Sequence, residues 1–210
     1  MKLLLSAFFI FALPCFAFSA TLSVTYSFKG KAPKAALLYF TQDKSNKSAA
    51  TLSQNNKKFD PLLITIAKGK SLSITNNDGV DHNVFVNNQQ QGIKFDIGLK
   101  KPGEVAKIPA QWPKDELIRL SCKIHSKMRA WVAVLDSKYS LVSRFNKSTK
   151  SKSGDYQFTL KGIPSEYTKI KILIPSYQTL DLDLTKNKLK KFPLHKRRKT
   201  KGFVQIILSP

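Results

Sequence analysis

Hardly any stretch of this chain repeats apolar residues at a helical period. Short β-branched and aromatic runs alternate instead with Gly, Asn, Pro and Lys/Ser turns. That pattern restricts the chain to an all-β fold of the sandwich type, with at most a short helical turn. Strands are expected over residues 21–28, 36–41, 62–66, 72–76, 83–86, 104–108, 116–122 and 130–135. A second set is expected over 139–145, 156–160, 169–174, 179–184 and 203–208. Polar breaks at 42–50 and 146–155 bracket the middle of the chain, and 210 residues suffice for one large domain or two small ones.

The chain opens MKLLLSAFFIFALPCFAFSA, one Lys before an apolar run and then small residues. This is the layout of a secretory signal peptide over 1–19, cleaved near Ser19-Ala20 after Ala17-Phe18-Ser19, so the mature chain is expected in the periplasm. The apolar run is too short to be read as a membrane span. Cys15 offers a lipid-anchored alternative, which Pro14 immediately before it disfavours.

The formal charge is +23, extreme for this length. Such a field draws in acidic proteins or anionic lipid headgroups, and salt weakens it. Export argues against nucleic acid as the partner. The densest basic run, 186–201, is expected as a loop holding Lys186, Lys188, Lys190, Lys191, Lys196, Arg197, Arg198, Lys199 and Lys201. It reads either as a solvated connection or as a docking element for an anionic membrane surface. His195, inside it with no Cys, Met or second His nearby, reads as a surface residue.

Beyond the leader one cysteine and one methionine remain, and both fall in Cys122-Lys123-Ile124-His125-Ser126-Lys127-Met128. In an oxidising compartment a lone Cys is buried, reactive, metal-bound or paired with another molecule. A His at +3 and a Met at +6, in so Met-poor a chain, favour the metal. A thiolate, an imidazole and a thioether form a soft donor set that suits copper better than zinc. The missing imidazole is expected from His82, which follows the turn Asn76-Asn77-Asp78-Gly79 at the start of a strand, with its second ring nitrogen on an unidentified internal partner.

Several stretches now resemble a cupredoxin of the plastocyanin/amicyanin type. Phe59-x-Pro61, Gly69, the Leu72/Ile74 alternation, Asn76-x-Asp78 and His82-Asn83-Val84-Phe85 are similar to its first half. Gly103 and Cys122-x-x-His125-x-x-Met128, running into Trp131-Val132-Ala133-Val134, are similar to its second. The resemblance implies a Greek-key β-sandwich over 51–137 holding one type 1 copper ion. His82, Cys122 and His125 would be its trigonal ligands, Met128 its weak axial one, and Asn83 the neighbour whose backbone N–H reaches the sulfur. Val134-Leu135-Asp136 and Gly162-Ile163-Pro164 resemble plastocyanin-like proteins of methylamine utilisation, without implying a role in methylamine oxidation. The prolines that flank the second His in amicyanin-like loops are replaced by Ile124 and Ser126. Where such proteins present an apolar rim, Lys123, Lys127 and Arg129 stand here, so an acidic redox protein is the expected partner.

Residues 20–50 and 138–210 are expected to form a smaller, discontinuous β-sandwich module. Gly154-Asp155-Tyr156-Gln157-Phe158, Gly162-Ile163-Pro164 and Gly30-Lys31-Ala32-Pro33 resemble the prealbumin-like carboxypeptidase regulatory module. The expected function is single-electron transport, with copper binding or delivery without redox turnover as the alternative. A degenerate, metal-free cupredoxin is a further reading. An oxidase or nitrite reductase needs more imidazoles than His82, His125 and His195 supply, so no enzyme activity is expected.

Overall fold

The computed structural model describes residues 19–89, 92–186 and 189–210. The leader and the lipid-anchor alternative at Cys15 lie outside the described residues, Ser19 excepted. The chain opens with β1 (Ser19–Phe28) and β2 (Ala35–Phe40). It then passes through β3 (Ala50–Asn55), β4 (Lys58–Asp60), β5 (Leu63–Ile66), β6 (Ser71–Asn76), β7 (Phe85–Asn88), β8 (Ile93–Asp96), β9 (Val105–Pro109), β10 (Ile118–Ser121) and β11 (Arg129–Val134). It ends in β12 (Ser140–Arg144), β13 (Tyr156–Pro164), β14 (Lys169–Leu173), β15 (Leu180–Asp183), β16 (Leu189–Lys196) and β17 (Lys199–Ser209), with a 3₁₀ turn at Leu184–Lys186.

These strands build four sheets and the fold is all-β. The middle strands form the sheets β5-β11-β10-β7-β8 and β4-β3-β6-β9. Their inward residues, among them Leu52, Ile66, Leu72, Ile74, Ile118, Leu120 and Val132, fill one core. The first and last strands form β13-β1-β17-β16 and β12-β2-β14-β15 around a second core that includes Leu22, Tyr26, Phe40, Phe145 and Val204. Period-two alternation puts Ala20, Leu22, Val24 and Tyr26 of β1 inside and their neighbours outside.

β2 is buried at all six positions because it serves two cores at once. Ala36, Leu38 and Phe40 face the second core. Ala35, Leu37 and Tyr39 face Leu63, Ala133, Leu135 and Leu173 in a third cluster that joins the two sandwiches. The polar linkers beside it are also tied: Asp43, buried between the sandwiches, accepts the N–H groups of Ser45 (3.1 Å) and Lys138 (2.6 Å). Asn46 donates its side-chain amide to the Leu135 carbonyl at 2.9 Å. Burial pushes the Asp43 carboxyl up, but hydrogen bonds from Ser45, Lys138 and Tyr139 outweigh it and hold the group below its ordinary range.

Four strands lay outside the sequence expectation. β3 has only Leu52 as a large apolar inward residue, the other being the buried Gln54. β4 and β8 are three and four residues long. The largest correction concerns 186–201, expected as a loop. There β16 pairs antiparallel with β17 across a two-residue turn, Arg197-Arg198. Both turn residues lie at positive φ, 48° and 62°, and no Gly or Asn announces them. β16 is an edge strand, so Pro193 is tolerated within it. His195 is half-buried, its ring Nδ1 within 3.3 Å of the Thr200 hydroxyl.

Two outcomes follow for stability. Leu37→Ala, on the face of β2 shared by both sandwiches, should cost about 2–5 kcal/mol. Calorimetry should still show one transition, and two well-separated transitions would contradict a shared core. A carboxylate held below its unfolded pKa stabilises the fold above that value and loses the contribution as pH falls. Stability should therefore drop below about pH 3.9, and Asp43→Asn should flatten that drop in acid-titration melts.

Candidate metal centre

Three side chains from two loops converge at one end of the middle sandwich. His82 lies between β6 and β7 and is fully buried. Expected at a strand start, it sits three residues before β7, held by a two-bond bridge: its N–H donates to the Lys100 carbonyl (3.0 Å), and its own carbonyl accepts from the Lys100 N–H (2.6 Å). Asn76, also fully buried, fixes this approach by donating to the carbonyls of Val80 and Lys100, both at 2.9 Å.

The internal partner of His82 is Asp78. Its Oδ2 lies 3.0 Å from His82 Nε2 and accepts the Lys57 backbone N–H at 2.6 Å. That N–H first, then His82, pulls the Asp78 carboxyl down to about 2. An ionised carboxylate can only accept, so the proton between them sits on Nε2 of His82, and Nδ1 is the ring nitrogen turned toward Cys122 and His125. The sequence signal was the four-residue spacing between Asp78 and His82 across a turn that folds the two together.

Cys122 follows β10 and Met128 precedes β11, so one short loop carries Cys122, His125 and Met128. Cys122 is a free thiol, 2% exposed, and Met128 is 1% exposed; both belong to the core cluster of the middle sandwich. The Met128 N–H donates to the His125 carbonyl at 2.9 Å and turns the loop back into β11. His125 is half-buried. Burial first, then the electrostatic influence of His82 and Lys57, lowers the pKa of its imidazole from the ordinary His value.

The donor atoms form a compact triangle. Nδ1 of His82 and Nδ1 of His125 are 3.0 Å apart, and Cys122 Sγ lies 4.0 Å from the first and 3.9 Å from the second. The triangle is acute, and the point equidistant from its corners lies about 2.1 Å from each, which is metal–nitrogen and metal–sulfur bonding distance. His82, Cys122 and His125 are the group of His, Cys, Asp or Glu side chains that could hold a metal ion among the described residues. No fourth side chain of those types joins them, as a closed zinc site would require, and Asp78 is engaged with His82. Two imidazoles and one thiol form a soft N₂S set of a kind that can hold a metal ion, copper among them.

Asn83 acts through its side chain. Its Oδ1 accepts the Lys123 backbone N–H at 2.7 Å, and its Nδ2 donates to Asp96 at 3.2 Å. Its own carbonyl accepts from the buried Gln54 amide at 3.3 Å. The His82 segment is thus clamped to the residue after Cys122. Lys123 does not stand free on the rim: its Nζ pairs with Asp96 at 2.6 Å and lies 5.8 Å from the Phe85 ring centre. Lys127 and Arg129 are exposed and carry no ion pair among the described residues. Three large apolar residues, Val80, Leu99 and Ile124, are also exposed on the converging loops, beside His82, Lys100 and His125. Of the three, only Ile124 was marked by the sequence, as the residue that replaces a flanking proline.

No protein-family model and no curated protein matches this chain. Among solved structures, a purple cupredoxin from Nitrosopumilus maritimus is similar over 40% of this chain and 98% of its own, at 18% identity and a TM-score of 0.35. Amicyanin from Paracoccus versutus is similar over 52% of this chain and 96% of its own, at 18% identity and a TM-score of 0.35. A copper-containing nitrite reductase from Thermus scotoductus matches 41% of this chain at 21% identity and a TM-score of 0.37, and the match spans 22% of that enzyme.

Removing the carboxylate that orients His82 should weaken the centre without emptying it. Asp78→Ala is expected to lower copper affinity by about 10- to 100-fold in competition with a chelator. An unchanged affinity would mean that the His82 ring is oriented by its packing alone.

Proposed function

We propose that this chain is an exported, cupredoxin-like carrier of single electrons with one type 1 copper site. The observation that carries this reading is the Nδ1–Sγ–Nδ1 triangle, set in an apolar core and closed by the loop that ends at Met128. Copper held there would supply a one-electron couple. His82, Cys122 and His125 would hold it, with the Met128 thioether on the same loop as a further soft donor.

The chain's own residues supply the rigidity such a couple needs. Asp78 fixes the ring of His82, Asn83 fixes the backbone beside Cys122, and Asn76 fixes the loop that brings His82 in. Little reorganisation is then available on gain or loss of an electron. Core burial keeps water from Cys122 and Met128. His125, the half-buried donor, is the route outward, and Ile124, Val80 and Leu99 give a partner an apolar contact beside it. Lys127 and Arg129 steer an acidic redox protein to that face. His195 sits on the β16–β17 hairpin and adds nothing to this centre. The signal-peptide pattern supports placement in the periplasm.

The oxidised, copper-loaded chain should show an intense visible thiolate-to-copper band at one copper per chain. Cys122→Ser should abolish it; survival of the band would remove Cys122 from the centre. Hexacyanoferrate(III), an anionic one-electron oxidant, should oxidise the reduced protein more slowly as salt rises. Lys127→Glu with Arg129→Glu should slow that reaction about tenfold at low salt. A salt-independent rate would remove steering from these two residues.

A further inference from the structure

The β16–β17 hairpin carries charge where charge is least comfortable. Two-residue turns of this kind favour Asn-Gly because both central residues need positive φ. Here Arg197 and Arg198 occupy them at 48° and 62°. Beside this tip lies a cleft of about 550 Å³ whose cations are Lys29, Lys31, Lys196, Arg197, Lys199 and Lys201. No acidic side chain lines it, and none of the six cations has an ion pair among the described residues.

The cleft is also firmly built. The Lys29 N–H donates to the Lys201 carbonyl at 2.8 Å, joining the β1–β2 connection to the hairpin. Gly202 allows that approach, since a Cβ there would stand 2.3 Å from the Ser27 carbonyl oxygen. Aromatic faces hold two of these ammonium groups: Lys29 lies 5.5 Å from the Phe203 ring centre, and Lys196 lies 5.6 Å from that of Tyr177. Like charges are thus concentrated in a concave, braced site, beside a turn whose backbone conformation favours Gly or Asn over the two arginines it carries. Local rules broken without a compensating contact point to function.

We propose that this cleft binds a compact, multiply charged phosphate-bearing anion, either a free polyphosphate or a phosphorylated lipid headgroup. The concavity takes a small group rather than a flat protein face. Six convergent cations match several negative charges a few ångströms apart, which clustered phosphoryl groups supply and a lone carboxylate does not. The cleft belongs to the sandwich built by the first and last strands, so its occupancy does not depend on the copper reading.

Calorimetric titration of the full chain with tripolyphosphate, and co-sedimentation with phosphatidylcholine vesicles with and without phosphatidic acid, test the proposal. Lys199→Glu with Lys201→Glu should weaken binding by about tenfold or more. Lys147→Glu with Lys152→Glu, which leaves the same net charge on an exposed turn elsewhere, should leave binding nearly unchanged. Arg197→Asn with Arg198→Gly should raise the melting temperature and still weaken binding, which separates loss of a ligand contact from misfolding. Saturable binding of tripolyphosphate identifies a soluble anion, and binding that requires phosphatidic acid in the vesicle identifies a headgroup. Equal losses in the two Glu pairs, or no saturable binding to either probe, would overturn the proposal.

Discussion

Cys122 and Met128 are side chains of the hydrophobic core, packed in one cluster with Leu52, Val84, Leu120 and Val132. That placement makes the donor geometry a property of the whole middle sandwich. A core packed at crystalline density resists displacement of its members, so the Cys122 and Met128 side chains are held in place by the packing itself. His82 is positioned differently, by polar contacts at the end of the sandwich. Asp78 takes His82 Nε2, Asn76 ties the incoming loop, and Asn83 ties that loop to the residue after Cys122. Apolar packing and a small, satisfied polar network together produce the triangle.

The all-β fold was legible because short apolar runs are broken by turn residues throughout, and in β1 apolar and polar residues alternate cleanly. β3 was not, because its inward positions pair Leu52 with a buried Gln54, and a single apolar residue makes no period. β16 was hidden by lysines on both sides of Phe192 and Leu194, and its turn by arginines where Asn-Gly would have announced it. The double burial of β2 is written in AALLYF, a run without alternation, which reads correctly once both faces are known to be covered.

At the site, the sequence pointed to the residues whose types are rare in this chain and left their supports unassigned. His82, Cys122 and His125 do come together, whereas the partner of His82 had no name until the Asp78 turn was seen to fold back on it. Asn83 was expected to act through its backbone, yet its side chain makes the clamp. The rim also reads differently in three dimensions. Lys123 shares its charge with Asp96, and exposed Val80, Leu99 and Ile124 bring apolar surface to a face expected to be purely basic. Such contacts depend on which loops meet, which residue type alone does not encode.

Copper-edge X-ray absorption on the loaded protein, oxidised and reduced, tests the central claim most directly. One sulfur and two imidazole nitrogens are expected at about 2 Å, with distances that hardly change between the two oxidation states. A shell of nitrogen and oxygen only, or a large rearrangement on reduction, would contradict a preset His82–Cys122–His125 site.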